Sequence, residues 1–336
     1  MRIVLVHAEY NYIPKEVASI NPKSDTHTKN TVKSISESLI RAGHEVIKVP
    51  ANVDLLRTIV DISQVDLIYC YYTPLENLHL QGNVFAALEL LGIPMVGPGM
   101  YTQAVGLSKE TTKTILRSLG VPTPKSQIFM SANDSLDAKL KDRFPLFVKP
   151  EAEAASVGVH TDSLVADEAA LAQSLKRIFT QVNPPIIVEE YLPGREFTVG
   201  VLEKDPLLAL PVVELKFTED SVVPFRSIET KVAGTMYTEV PADIEESLAR
   251  QMQDMAKTAF KALRCEVYAR VDMRLDAKGQ PQVIEVNTMP GLERGHSLFE
   301  KSAAAIGIDY DELINTMVEI AYTHKAPAKH LGIGKF

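Results

Sequence analysis

Short apolar runs along the chain are separated by stretches of helical period. Arg2-Ile-Val-Leu-Val6 reads as a buried strand. Val32, Ile35, Leu39 and Ile40 then recur at helical spacing across Thr31–Ala42, and Gly43 ends the helix. Glu45–Val49 and Asp66–Tyr72 are further strands, and a helix through Val84–Leu91 stops at Gly92 before Ile93-Pro-Met-Val96. Strands alternating with helices predict a parallel sheet with ligands beyond the carboxyl ends of its strands. Those ends are His7–Asp25, the segment after Tyr72, and Gly97-Pro-Gly99. The polar and aromatic loop Ala8–Thr28 is long for a connector, which favours a functional role.

Downstream, a helix is predicted over Leu107–Gly120, with Ser108 as N-cap and Gly120 as its stop. Pro145–Pro150 and Pro185–Glu190 are apolar strands, and Lys216–Pro241 is polar and turn-rich. A helix over Glu245–Leu263 carries Ala249, Met252, Met255, Ala256, Phe260 and Leu263 on one side, the methionines as core filling. Ser297–Ala305 and a helix Tyr310–Tyr322 close the pattern. The clearest alternation is in Tyr268–Leu275, where Val271, Met273 and Leu275 alternate with Arg270, Asp272 and Arg274. Asp276-Ala-Lys-Gly279 supplies a turn and Val283–Asn287 a second alternating run, so a hairpin is predicted.

A chain of 336 residues exceeds one ordinary core and predicts two or three subdomains. With 46% apolar and 23% charged residues it has the composition of a soluble globular enzyme. A net charge of -8 argues against nucleic acid or an anionic membrane as main partner, while a few local lysines would suffice to hold a small phosphorylated ligand. Cys70 and Cys265 are far apart, so neither a disulfide framework nor a zinc site is expected. No apolar run has the length of a signal peptide or a membrane span, and a cytoplasmic location is expected.

Period two puts Arg270 and Asp272 on one face of their strand and Glu285 and Asn287 on one face of the next. Pairing the strands gathers two carboxylates and a carboxamide oxygen beside a guanidinium. A sparse set of hard oxygen donors suits Mg2+ held jointly with nucleotide phosphates. A solvated sheet face is the plain alternative.

The pattern R-x-D at Arg270–Asp272, then E-x-N-T-x-P-G at Glu285–Gly291 and His296-Ser-Leu298, resembles the magnesium site of the ATP-grasp ligases, in the D-alanine–D-alanine ligase branch. Ser108-Lys109 with Val121-Pro-Thr-Pro124, Val148-Lys-Pro150, and Glu189–Glu196 resemble that branch in the same order. The resemblance implies an α/β ATP-grasp fold with an N-terminal parallel-sheet, Rossmann-like domain over residues 1–100. A central subdomain with a phosphate loop (101–188) and a C-terminal subdomain with metal site and lid (189–336) would follow. It implies ATP and one or two Mg2+ ions, or Mn2+, as cofactors, with Asp272, Glu285 and Asn287 as metal ligands. Lys109, Lys149, Ser156 and Gly158 would meet the phosphates, Glu189, Glu190 and Leu192 adenine, and Glu196 the ribose.

Arg270, Gly291 and Lys231 would act on the transferring group, and Asp25, His296, Ser297 and Leu298 on amino-acid substrates. Three positions depart from the family. Its N-terminal glutamate has Asp25 as nearest counterpart, its loop serine is Ala155 (beside Ala154), and its lid tyrosine is Val232. A changed first-substrate pocket is expected. The implied activity is ATP-dependent joining of two amino acids through an acyl phosphate, by a homodimer, in cell-wall (peptidoglycan) synthesis. Ligation of other amino acids in a natural-product pathway, ATP binding without turnover, and activation of a different acid remain open.

Overall fold

The computed structural model describes residues 1–8, 24–73, 79–152, 158–181 and 184–324, without the side chains of Ser24, Asp25, His79, Lys231 and His324. Three sheets organise them. The first has strands β1 (Arg2–His7), β2 (Glu45–Pro50), β3 (Leu67–Tyr71) and β4 (Met95–Val96), all parallel in the order β2-β1-β3-β4. Strands covered on both faces need continuous apolar runs, and Ile3–Val6 and Leu67–Tyr71 are buried throughout.

The helix Ser24–Arg41 starts well before the predicted Thr31. Its first turns, Ser-Asp-Thr-His-Thr-Lys, lack the apolar period on which the sequence reading relied. The last five residues of the expected loop Ala8–Thr28 are therefore helical; residues 9–23 lie outside the described residues. The C-terminal helix Tyr310–His324 packs on the first sheet, sharing one core with Ile3, Leu5, Leu67 and Tyr69.

The second sheet is antiparallel, with β5 (Ser126–Phe129), β6 (Leu146–Pro150), β7 (Leu164–Val165) and β8 (Ile186–Glu190) ordered β5-β8-β6-β7. The third holds β9 (Glu196–Leu202), β10 (Leu208–Ala209), β11 (Val213–Phe217), β12 (Met236–Glu239), β13 (Tyr268–Leu275) and β14 (Pro281–Asn287). Its order is β12-β11-β9-β13-β14, with β10 beside β9. The helix Glu246–Ala262 covers it with Met252, Met255, Ala256 and Phe260, all in the core.

Lys216–Pro241 is more regular than its polar composition predicts. It contains a six-residue helix, Ile228–Ala233, started by a capping box between Ser227 and Thr230, and then β12.

The connector from the second sheet to the third runs against β13. The Gly194 N–H donates to the Leu275 carbonyl at 3.0 Å, and a Cβ at Gly194 would lie 2.6 Å from that oxygen. Gly194→Ala is expected to destabilise the fold by about 1–3 kcal/mol. Urea unfolding checks this, and an unchanged midpoint would contradict the packing.

Candidate active site

The β13–β14 hairpin sets the floor of a cleft between the second and third sheets. Arg270 stands opposite Asn287 and Asp272 opposite Glu285. The register then slips, Met273 facing Val283, so Ile284 is the extra residue of a bulge. Arg270, Asp272, Ile284, Glu285 and Asn287 all line the cleft. The Arg270 Nε and Nη2 groups donate to the two Asp272 oxygens at 2.8 Å each. Thr198, opposite Asp272 on β9, donates its hydroxyl at 2.6 Å, and the Asn287 Nδ2 donates at 2.9 Å. Burial alone would raise the Asp272 carboxyl; Arg270 outweighs it and holds the group below the usual carboxylate range.

Lysines stand over this floor. Lys109 is buried and its Nζ donates to the Glu151 carbonyl at 3.1 Å. Its helix, Lys109–Ser118, is capped by the Ser108 hydroxyl accepting from the Thr111 N–H at 3.2 Å. Lys149, near the end of β6, lies 2.6 Å from Glu189 Oε1. Burial, with help from Lys109, lowers the Lys149 ammonium to about 8, against the pull of Glu285, Glu196 and Asp272. The sequence gives no role to Lys113, the second lysine of the S-K-x-x-x-K helix, which pairs with the other Glu189 oxygen and is fully buried.

The other end of the cleft is apolar and aromatic. Phe147 stacks on Tyr191 at 6.3 Å and meets Phe225 edge-on at 5.0 Å, with Leu192 beside them on the cleft wall. Glu196 pairs with Arg274 at 3.2 Å, and burial raises its carboxyl. Arg274 also donates to the Tyr191 hydroxyl at 3.1 Å and to the Gly194 and Pro224 carbonyls at 3.0 and 2.7 Å. Its alternation with Arg270 and Asp272 was the signal for this role. The Glu190 carboxylate accepts the Lys125 N–H at 2.9 Å and pairs with Arg143.

Among the described residues no three His, Cys, Asp or Glu side chains form a ready metal cluster. The hairpin face offers two carboxylates, Asp272 and Glu285, and one carboxamide, Asn287, so phosphate and water oxygens must complete any coordination there. That division of ligands fits Mg2+.

Comparison with known proteins decides the family. The sequence model described as D-ala D-ala ligase C-terminus matches residues 115–319. The D-alanine–D-alanine ligase of Halalkalibacterium halodurans is 33% identical over 296 residues, covering 86% of this chain and 92% of that protein. The chain belongs to the D-alanine–D-alanine ligase family.

Protein y4sG of Sinorhizobium fredii, described as uncharacterized, is 33% identical over 298 residues, 86% of either chain. In structure, the D-alanine–D-alanine ligase from Bacillus anthracis complexed with ATP matches with a TM-score of 0.76 at 26% identity, over 97% of this chain and 98% of that one. The α/β ATP-grasp fold of this ligase family is therefore the fold of the chain.

Against the D-alanine–D-alanine ligase pattern, several expected residues lie outside the description. These are Ala154, Ala155, Ser156 and the side chains of Asp25 and Lys231; Lys231 has its backbone in the helix Ile228–Ala233. Gly158 takes a left-handed φ of 72°, and Val232 is exposed. Gly291 is open, with no atom within 4 Å of where a Cβ would stand.

The Ser297 hydroxyl is used locally: it donates to the Gly291 carbonyl at 2.6 Å and caps the helix Leu298–Ala304 through the Glu300 N–H at 3.2 Å. His296 is edge-on to His27 at 6.5 Å. Beside them lies a contact that the sequence hid. Buried Glu293 pairs with His27 and accepts from the Asn30 Nδ2 at 2.8 Å, tying the loop after Gly291 to the helix Ser24–Arg41. The partners are 266 and 263 positions apart, too far for any local pattern to reveal.

Proposed function

We propose that the chain is an ATP-dependent ligase that joins two amino acids through an acyl phosphate. The observation that supports this most is the cross-strand set of Arg270 and Asp272 facing Asn287 and Glu285, with Lys109 and Lys149 on the same cleft. A carboxylate does not react with an amine at neutral pH until it is activated. The first amino acid's carboxylate would attack the terminal phosphorus of ATP and release ADP. The second amino acid's amine would then add to the acyl carbon, and phosphate would leave as the amide forms.

Catalysis of this kind is mainly positioning and charge neutralisation. Lys109, Lys149 and Lys231 would offset phosphate charge, and the aromatic wall with Leu192 would enclose adenine while Glu196 accepts from the ribose. Arg270, permanently charged, and the Gly291 N–H would stabilise the oxyanion. Mg2+, held by Asp272, Glu285 and the Asn287 carboxamide oxygen, would supply the divalent charge that such transfers require. Ser297 and Leu298 would face the second substrate, with Ser297 acting through the loop it pins. Replacement of the loop serine by Ala155 and of the lid tyrosine by Val232 favours a first substrate other than D-alanine, and with it a pathway other than the cell wall.

Phosphate release from ATP with panels of single amino acids tests the reading. Release that depends on an amino acid supports it, and ATP binding without release contradicts it. The pH dependence gives a second check. Burial lowers the Lys149 ammonium to about 8, below an ordinary lysine, so ATP affinity should fall as the pH rises through about 8. Titration calorimetry from pH 7 to 9.5, on the order of the range one shifted lysine spans, measures it; a constant affinity would contradict the role of Lys149.

A further inference from the structure

Two ammonium groups share one buried carboxylate under the cleft. Lys149 lies 2.6 Å from Glu189 Oε1, and Lys113, from the helix Lys109–Ser118, closes on Oε2. Lys149 and Glu189 line the cleft, whereas Lys113 does not and its side chain is 1% exposed. Lys113 therefore cannot touch a ligand bound there.

Its value lies in what happens to Glu189 when Lys149 is needed elsewhere. A buried carboxylate stripped of its cation carries a desolvation cost large enough to oppose the move. Were Lys149 its sole partner, shifting that ammonium towards a phosphate would strand the charge. With Lys113 present, Glu189 stays paired when Lys149 leaves.

Resting on the reading of this cleft as the ATP site, we propose that Lys113 is a positioning residue that keeps Glu189 neutralised and so frees Lys149 to engage the nucleotide phosphates.

Calorimetric titration with ATP and Mg2+ tests the proposal on four proteins: wild type, Lys113→Met, Glu189→Gln and the Lys113→Met/Glu189→Gln double variant. Lys113→Met is expected to weaken ATP binding about tenfold or more. Once Glu189 is neutral Lys113 has nothing to hold, so Glu189→Gln and the double variant should agree within about threefold. A merely structural lysine would weaken both backgrounds alike. Lys113→Met binding as wild type does, or a double variant much weaker than Glu189→Gln, overturns the proposal. If Lys113→Met does not fold, as judged by circular dichroism, the second comparison decides alone. Failure of the wild type to bind ATP is a separate result that defeats the site reading, and the proposal with it.

Discussion

Glu285→Gln is expected to lower amino-acid-dependent phosphate release by about three orders of magnitude, the scale on which a preorganised charge at a transferring group is felt. The substitution keeps the size and shape of the side chain, and the backbone pairing of Glu285 with Asp272 does not depend on its charge. What it removes is one of only two carboxylates on the hairpin face. Asp272 cannot compensate, because it is the other carboxylate of that face and its charge is already shared with the Arg270 guanidinium. ATP affinity should fall much less than turnover, since the lysines and the aromatic wall are untouched. Near-normal phosphate release from this variant would remove Glu285 from the chemistry.

Arg270→Met is expected to damage both stability and turnover. The guanidinium holds both oxygens of a carboxylate that is 8% exposed. Removing one partner of such a pair typically costs about 3–5 kcal/mol. The sign of the pH effect follows from the direction of the shift. Asp272 titrates below its unfolded value, so the pair contributes stability above about pH 4 and loses it as the pH falls through the depressed value. In Arg270→Met that acid-side loss should shrink.

A divalent ion can replace the missing charge. Mg2+ with ATP should therefore raise the melting temperature of Arg270→Met more than that of the wild type. Equal shifts, or a variant as stable as wild type without ligand, would contradict this view of the Arg270–Asp272 pair.

The parts of the site that could be read from the sequence are those governed by local periodicity. Period two placed Arg270, Asp272, Glu285 and Asn287 on converging faces, and the turn ending at Gly279, with its φ of 75°, joined the two strands. The bulge at Ile284 was not legible, because alternation alone does not say where a ladder slips. The burial of Lys109 and Lys113 was missed for a related reason. Both share a helix face with Leu116, yet a search for apolar positions passes over lysines.

The start of the helix Ser24–Arg41 was hidden by its polar first turns, and the short helix Ile228–Ala233 by its length, although Ser227 and Thr230 carried a capping signal. Contacts made by chain folding, such as Glu293 with His27, leave no trace in neighbouring residues. No helix among the described residues is long and apolar enough to cross a membrane.

Product mass spectrometry tests the central claim most directly: the protein is incubated with ATP, Mg2+ and pooled D- and L-amino acids. The account predicts a dipeptide-like amide formed together with ADP and phosphate in equal amounts. ATP consumed without any amide, or a phosphorylated or carboxylated acid as the end product, would contradict it.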